Sequence, residues 1–114
     1  MRDEAVVEDG YERGLALLAA GEFFAAHEAF EEAWRASAAG ERDFFQGLVH
    51  VAVAWYQAGR GRRVGCQRQL EKASRRLSPF VPHHRELDVA DLADQVAMAE
   101  SRFPDLPPLR LRRV

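Results

Sequence analysis

The stretch Gly21-Glu22-Phe23-Phe24-Ala25-Ala26-His27-Glu28-Ala29-Phe30-Glu31-Glu32-Ala33-Trp34 decides the fold. Its large apolar residues recur three and four apart, the period of an amphipathic α-helix. On a helical wheel Phe30 and Phe24 bound an arc about 120° wide that also holds Phe23 and Trp34. His27 and Glu31 fall inside this arc, while Glu28 and Glu32 fall on its rim and outside it. A buried charge is costly unless it is paired, so the pattern predicts that something answers His27 and Glu31. The two are also i and i+4, close enough to share a proton or a ligand.

Working outward, Gly21 ends a preceding helix expected from about Asp3 to Ala20, with Val7, Tyr11, Leu15 and Leu18 on one face. The quoted helix runs from Glu22 to about Ala38, and Gly40 breaks it. A third helix is expected from Glu41 to Ala58. It is apolar on nearly every side, the mark of a central, buried helix. Gly47 within it costs up to about 1 kcal/mol against alanine, which close approach of a neighbouring helix would justify. After Gly59-Arg60-Gly61 a fourth helix runs from Arg62 to Leu77, and Ser78-Pro79 stops it. Residues 80–86 read as a loop, and Asp88 as the N-cap of a fifth helix to Arg102. No stretch reads as a strand.

The expected fold is therefore all-α: about five helices packed as stacked antiparallel hairpins, tetratricopeptide-like but without that family's regular ~34-residue repeat. Leu17–Gly21 can be laid on Trp55–Gly59, and with a two-residue insertion Phe30 and Ala33 then fall on Leu70 and Ala73. Residues 1–103 form one helical domain in this reading. Residues 104–114 form a Pro/Arg-rich tail that cannot be helical and lies on the surface or is partly disordered.

The chain has 114 residues, 47% of them apolar, enough for one domain with a real core. Its formal net charge of −2 argues against a dedicated nucleic-acid binder, yet the sum hides an asymmetry. Residues 1–41 carry ten acids and three bases, whereas residues 42–85 carry nine bases and two acids. Such complementary blocks serve packing between neighbouring helices more often than an external partner. The single cysteine, Cys66, fits a reducing compartment. No apolar run resembles a signal peptide or is long enough to span a bilayer, so the expected location is the cytoplasm, with no membrane partner.

Arg42, Gln46 and His50 form one polar line at i+4 spacing on the otherwise apolar third helix. Facing His27 and Glu31, they predict a buried network in which Glu31 accepts from Arg42 or Gln46, and His27 bonds Gln46 or a backbone carbonyl. The alternative is a metal or small-ligand site of His27, Glu31 and His50, with Glu28 at its edge. The spacing does not match the His-Glu-x-x-His pair of zinc proteases or the Glu-x-x-His pairs of di-iron bundles. No metal and no cofactor is therefore expected. The basic run from Arg60 to Arg76 reads as a solvated face, Cys66 as a small buried hydrophobe, and His83 and His84 as inert.

Taken together, Gly21-Glu22-Phe23-Phe24-x-x-His27-Glu28-x-x-Glu31-x-x-Trp34, Arg42-x-Phe44-Phe45-Gln46-Gly47-Leu48-Val49 and Gly65-x-x-x-x-Leu70-x-Lys72-Ala73 resemble domain-of-unknown-function family 309. The resemblance covers about residues 11 to 77. It implies a small all-helical protein of bacterial or archaeal type, with His27, Glu28, Glu31, Trp34, Gln46 and Gly47 as signature residues and no established activity. The family pattern has asparagine before the glycine, where Ala19 and Ala20 stand, and glutamine where His50 stands. His50 is then not a general family ligand. The function expected is a non-enzymatic interaction or scaffold domain, binding another protein or a second copy of itself. A metal- or small-ligand-binding, hydrolase-like protein centred on His27 and Glu31 is the alternative, and catalysis stays open.

Overall fold

The computed structural model describes residues 3–114. Five helices carry the fold: α1 Glu4–Ala19, α2 Phe23–Ala36, α3 Arg42–Gly59, α4 Arg63–Leu77 and α5 Val89–Ala99. Each lies within a residue or two of its expected start, and α5 ends where a 3₁₀ turn, Glu100–Arg102, replaces its last expected residues. Asp3 caps α1 through Ala5 N at 3.0 Å, and Asp88 caps α5 through Asp91 N at 2.9 Å.

The helices pack as two antiparallel hairpins, α1/α2 and α3/α4, with α3 between α2 and α4 and with α5 against α4. α3 is the central element, as its all-round apolar character predicts. Phe44, Phe45, Leu48, Val51, Ala52 and Ala54 are wholly buried. Gly47 marks the close approach of α4, since a Cβ there would stand 2.6 Å from Leu77 Cδ2.

Both hairpins turn in the same way. Glu22 N bonds Leu17 O at 2.9 Å and Arg62 N bonds Gln57 O at 3.0 Å, each closing a helix C-terminus around a glycine in the left-handed region, Gly21 at φ 81° and Gly61 at φ 71°. Gly61 is thus the counterpart of Gly21, a place the sequence comparison assigns to Gly59. No insertion is needed: Leu18 and Ala58, Ala26 and Cys66, Phe30 and Leu70, Ala33 and Ala73 correspond at one constant separation, and all are buried.

Two segments differ from expectation. Residues 80–86 are not a plain loop. A 3₁₀ turn, Ser78–Phe80, leads into a two-stranded ribbon, β1 His83–His84 and β2 Leu87–Asp88, paired antiparallel. Its turn residues, Arg85 and Glu86, have φ of 47° and 62°. Such a hairpin turn ordinarily uses Asn and Gly, so nothing in Arg-Glu signals it. The segment after Arg102 is non-helical, as its prolines require, but it is packed. Trp55 Nε1 donates to Pro107 O at 2.9 Å, Gln95 brackets the Arg110 backbone, and Asp88 N bonds Arg112 O at 2.8 Å. Leu109 is 5% exposed and joins the core.

Candidate functional site: the half-buried strip of α3

Along α3, Arg42, Gln46, His50, Val53, Tyr56 and Gln57 are half-buried while nearly all of their neighbours are buried. They form a strip left open between α2 on one side and α4 on the other. α2 contributes Phe24, His27 and Trp34 to its edge. α4 contributes Gly65 and Gln69.

The polar groups find partners other than those expected. Glu31 accepts from neither Arg42 nor Gln46. Its Oε1 lies 3.1 Å from His27 Nε2 and its Oε2 3.9 Å from Arg35, all on α2. The Glu31 side chain is 33% exposed, so this is a surface pair and not a buried network. The cause is visible in α2. Its buried residues are Ala26, Ala29, Phe30 and Ala33, so the core face is centred on alanines that let α1 and α3 approach closely. The arc drawn through the aromatic residues is rotated from it, and Phe24, expected at the arc's edge, is 54% exposed.

His27 does bond a backbone carbonyl, Phe24 O, at 2.6 Å from Nδ1. Both of its ring nitrogens therefore face oxygen atoms, Phe24 O and the Glu31 carboxylate. Arg42 meets Trp34 instead of a carboxylate, with its guanidinium carbon 4.5 Å from the ring centroid. Gln46 lies half-buried between the two walls, and none of the described hydrogen bonds uses its amide. His50 turns to α4, where Nδ1 meets Gln69 Oε1 at 2.7 Å. Burial holds its pKa below the usual histidine value, and the cations Lys72, Arg76 and Arg75 add to that against the Gln69 hydrogen bond.

His27, Glu31 and His50 thus do not converge, and no three His, Cys, Asp or Glu side chains among the described residues could hold a metal ion together. Glu28 is exposed and faces the opposite side of α2, at a polar depression with Arg13 and Arg35.

The strip ends in a small cavity of about 140 Å³ lined by Phe23, Phe24, His27, Val53, Tyr56 and Gln57. Phe24 stacks obliquely on Tyr56 at 5.7 Å and edge-on against His27 at 4.8 Å. The Gln57 amide is pressed against Gly65, where a Cβ would lie 3.2 Å from Gln57 Cδ. Its Oε1 is buried without a hydrogen-bond partner, the only such side-chain atom among the described residues. A larger hollow of about 220 Å³ between α5 and the C-terminal segment, with Asp94 and Arg110 in its lining, has no orphaned polar atom.

A second polar cluster escapes the sequence. Arg85, 15% exposed, binds Glu41 at 2.5 Å, Glu4 at 2.8 Å and Glu8 at 3.0 Å. His84 Nε2 meets the other Glu41 oxygen at 2.6 Å, and the buried Tyr11 hydroxyl donates to Arg85 O at 2.9 Å. Burial alone would raise the Glu41 pKa, but Arg85 and His84 together hold it below the usual carboxylate range. The cluster ties the ribbon to α1 and to the start of α3. Of its acids only Glu4 and Glu8 are related by helical spacing, at i and i+4.

The match to known families falls on the two hairpins. A family model described as Domain of unknown function (DUF309) matches residues 11–69, from within α1 to the middle of α4. No curated protein and no solved structure matches the chain. The matched span is more than half of the chain and contains the strip from Arg42 to Gln57 together with both of its walls: the chain belongs to the DUF309 family.

Proposed function

We propose that this protein is a non-catalytic interaction domain that seats a short segment of another protein along the α3 strip. The observation that carries this reading is Gln57 Oε1. A buried acceptor without a donor costs about 1–3 kcal/mol, and native folds rarely leave one unexplained. It lies in a residue that lines a cavity of about 140 Å³ next to the half-exposed Phe24 ring. An apolar notch with one unanswered acceptor suits a side chain that is apolar in its body and carries a donor at its tip. Arg42, stacked on Trp34, and the amide of Gln46 extend the polar lining toward the other end of the strip. The stacked hairpins support the reading, because they leave one helix face open between two walls.

Panning a random 12-residue peptide display library against the immobilised protein tests this. Selected peptides are then titrated by fluorescence anisotropy against the wild type, Gln57→Leu and Phe24→Ser. The expected result is micromolar binding weakened about tenfold by each substitution, as loss of one anchor of about 1.4 kcal/mol requires. Peptides that bind all three proteins equally, or a library that yields none, overturn the reading.

A further inference from the structure

The hollow of about 220 Å³ between α5 and the C-terminal segment is built differently from the notch of the α3 strip. Its floor is Trp55 and Ala99, both buried. The Trp55 ring is fixed there by its donation from Nε1 to Pro107 O at 2.9 Å. Charged side chains of both signs stand around this apolar floor: Asp91 and Asp94 from α5, Arg102 from the 3₁₀ turn and Arg110 from the C-terminal segment. Among the described residues, no carboxylate lies within ion-pair distance of Arg102 or Arg110, and no cation lies within that distance of Asp91 or Asp94. Trp55 alone of the lining falls in the span matched to the family, so the hollow belongs to the part of the chain beyond it.

Gln95 brings opposite charges together here without pairing them. Its Nε2 donates to Asp91 Oδ2 at 2.9 Å and to Arg110 O at 2.7 Å, and its Oε1 accepts from Arg110 N at 2.9 Å. The amide thus fixes the Arg110 backbone beside the acids of α5, while the guanidinium keeps its donors. Asp91 and Asp94 are i and i+3 on one helix face. One end of the hollow therefore offers two carboxylates and a guanidinium side by side. Arg102 follows Asp94 by eight residues, about 12 Å along the helix axis, so a lone guanidinium closes the other end. Between the two ends α5 lines the hollow with Met98 and Ala99. Solvent can answer these charges in the free protein, since Asp94, Arg102 and Arg110 are exposed. A ligand of matching charge replaces that solvent over an apolar floor.

We infer that this hollow binds a free acidic α-amino acid. An ammonium and a carboxylate on the same carbon match the acids Asp91 and Asp94 and the guanidinium of Arg110 at the first end. Residues inside a peptide have lost both of those charges, so the ligand is the free amino acid. Its side-chain carbons lie on Trp55, Ala99 and Met98, and a carboxylate at their tip meets Arg102. Hydrogen bonds between such ionised groups are about twice as strong as neutral ones. The volume is below the ~300–1,000 Å³ of pockets for drug-sized ligands, which suits a molecule the size of glutamate. The site is separate from the α3 strip and does not rest on the interaction-domain reading.

Isothermal titration calorimetry of the wild-type protein with L-glutamate, glutarate and L-norleucine tests this. Glutarate lacks the ammonium group, and norleucine lacks the side-chain carboxylate. The expected result is saturable binding of glutamate with a Kd of about 1 mM or below, and binding at least about tenfold weaker for the other two. Asp94→Asn, Arg102→Gln and Arg110→Gln should each weaken glutamate about tenfold, while Glu28→Gln, on α2 and outside the hollow, should not. Circular dichroism confirms that the variants fold, and the comparison of three ligands on the wild type decides without them. No binding of glutamate at about 10 mM overturns the inference. Glutarate or norleucine binding as tightly as glutamate also overturns it, because the head group or the tip is then not read. Equal affinity in the wild type and all three site variants places glutamate elsewhere and overturns it too.

Discussion

Arg85 holds the carboxylate of Glu41 at 2.5 Å from a turn that places its own backbone at φ 47°. The left-handed conformation aims the guanidinium back at α1 and the start of α3, where Glu4, Glu8 and Glu41 converge on it. This side chain fastens the ribbon to the helices together with His84 on Glu41, the Tyr11 hydroxyl on Arg85 O and the buried Leu87. Arg85→Ala should therefore destabilise the protein by about 1–3 kcal/mol, the cost of leaving a partly buried carboxylate with one donor fewer. Urea melts at pH 7 measure it. A loss below about 0.5 kcal/mol would mean that solvent or His84 fully replaces the arginine.

The same pair sets an acid response. The Glu41 pKa is lowered in the fold, so its contribution to stability is present above the unfolded value of about 4.3 and is lost as pH falls through the folded value. Glu12, held low first by its hydrogen bonds from Arg113, acts in the same sense. Glu8, raised by burial and by Glu12 beside it, acts against them. In Arg85→Ala the burial of Glu41 is opposed by His84 alone, so its pKa rises. Urea midpoints followed from pH 7 to pH 3 should begin to fall at a higher pH in the variant than in the wild type. Parallel curves would remove Glu41 as the group responsible.

Glu86 carries strain that its side chain does not repay. Its φ of 62° is the left-handed region, which costs a non-glycine residue about 1–2 kcal/mol. The contacts it makes to Val114 N and Arg113 use its backbone carbonyl, which glycine would keep. Glu86→Gly should therefore raise stability by about 0.5–1 kcal/mol after the extra entropy of glycine in the unfolded chain is subtracted. A fall in the thermal midpoint would contradict the strain.

The helices were legible in the sequence because period, glycine stops and the Asp88 cap agree with one another. The ribbon was not, because Arg85 and Glu86 take a conformation that their residue types disfavour, held by tertiary ion pairs. The strip was half legible. Arg42, Gln46 and His50 do share a face of α3, but the wheel of α2 weighted aromatic rings over alanines. It therefore placed Glu31 inward when Ala26, Ala29 and Ala33 form the true contact. Gln57 carries no signal in its spacing, and its orphaned oxygen becomes visible only once Gly65 and Phe24 are in place around it.

The corrected place of Glu31 changes the expected mutant series. A surface pair one-third exposed contributes little. Glu31→Ala and Glu31→Gln should both lie within about 1 kcal/mol of the wild type in urea melts and within a few tenths of each other. A loss above about 2 kcal/mol for alanine alone would restore the buried network.

Packing around α3 gives the sharpest contrast. Leu48 is wholly buried, so Leu48→Ala should cost about 2–5 kcal/mol. Gly47→Ala should also destabilise, by about 1–3 kcal/mol, despite the better helix propensity of alanine. The new methyl would stand 2.6 Å from Leu77 Cδ2, and Leu77 is itself fully buried, with little room to yield. At Gly59, the last residue of the same helix, a Cβ meets nothing within 4 Å. Gly59→Ala should be neutral or stabilising by some tenths of a kcal/mol. The pair separates close approach from propensity, since propensity alone predicts a gain at both glycines. Equal gains in thermal midpoint at 47 and 59 would mean that α4 does not press on α3 at Gly47, and the order of the hairpins would have to be redrawn.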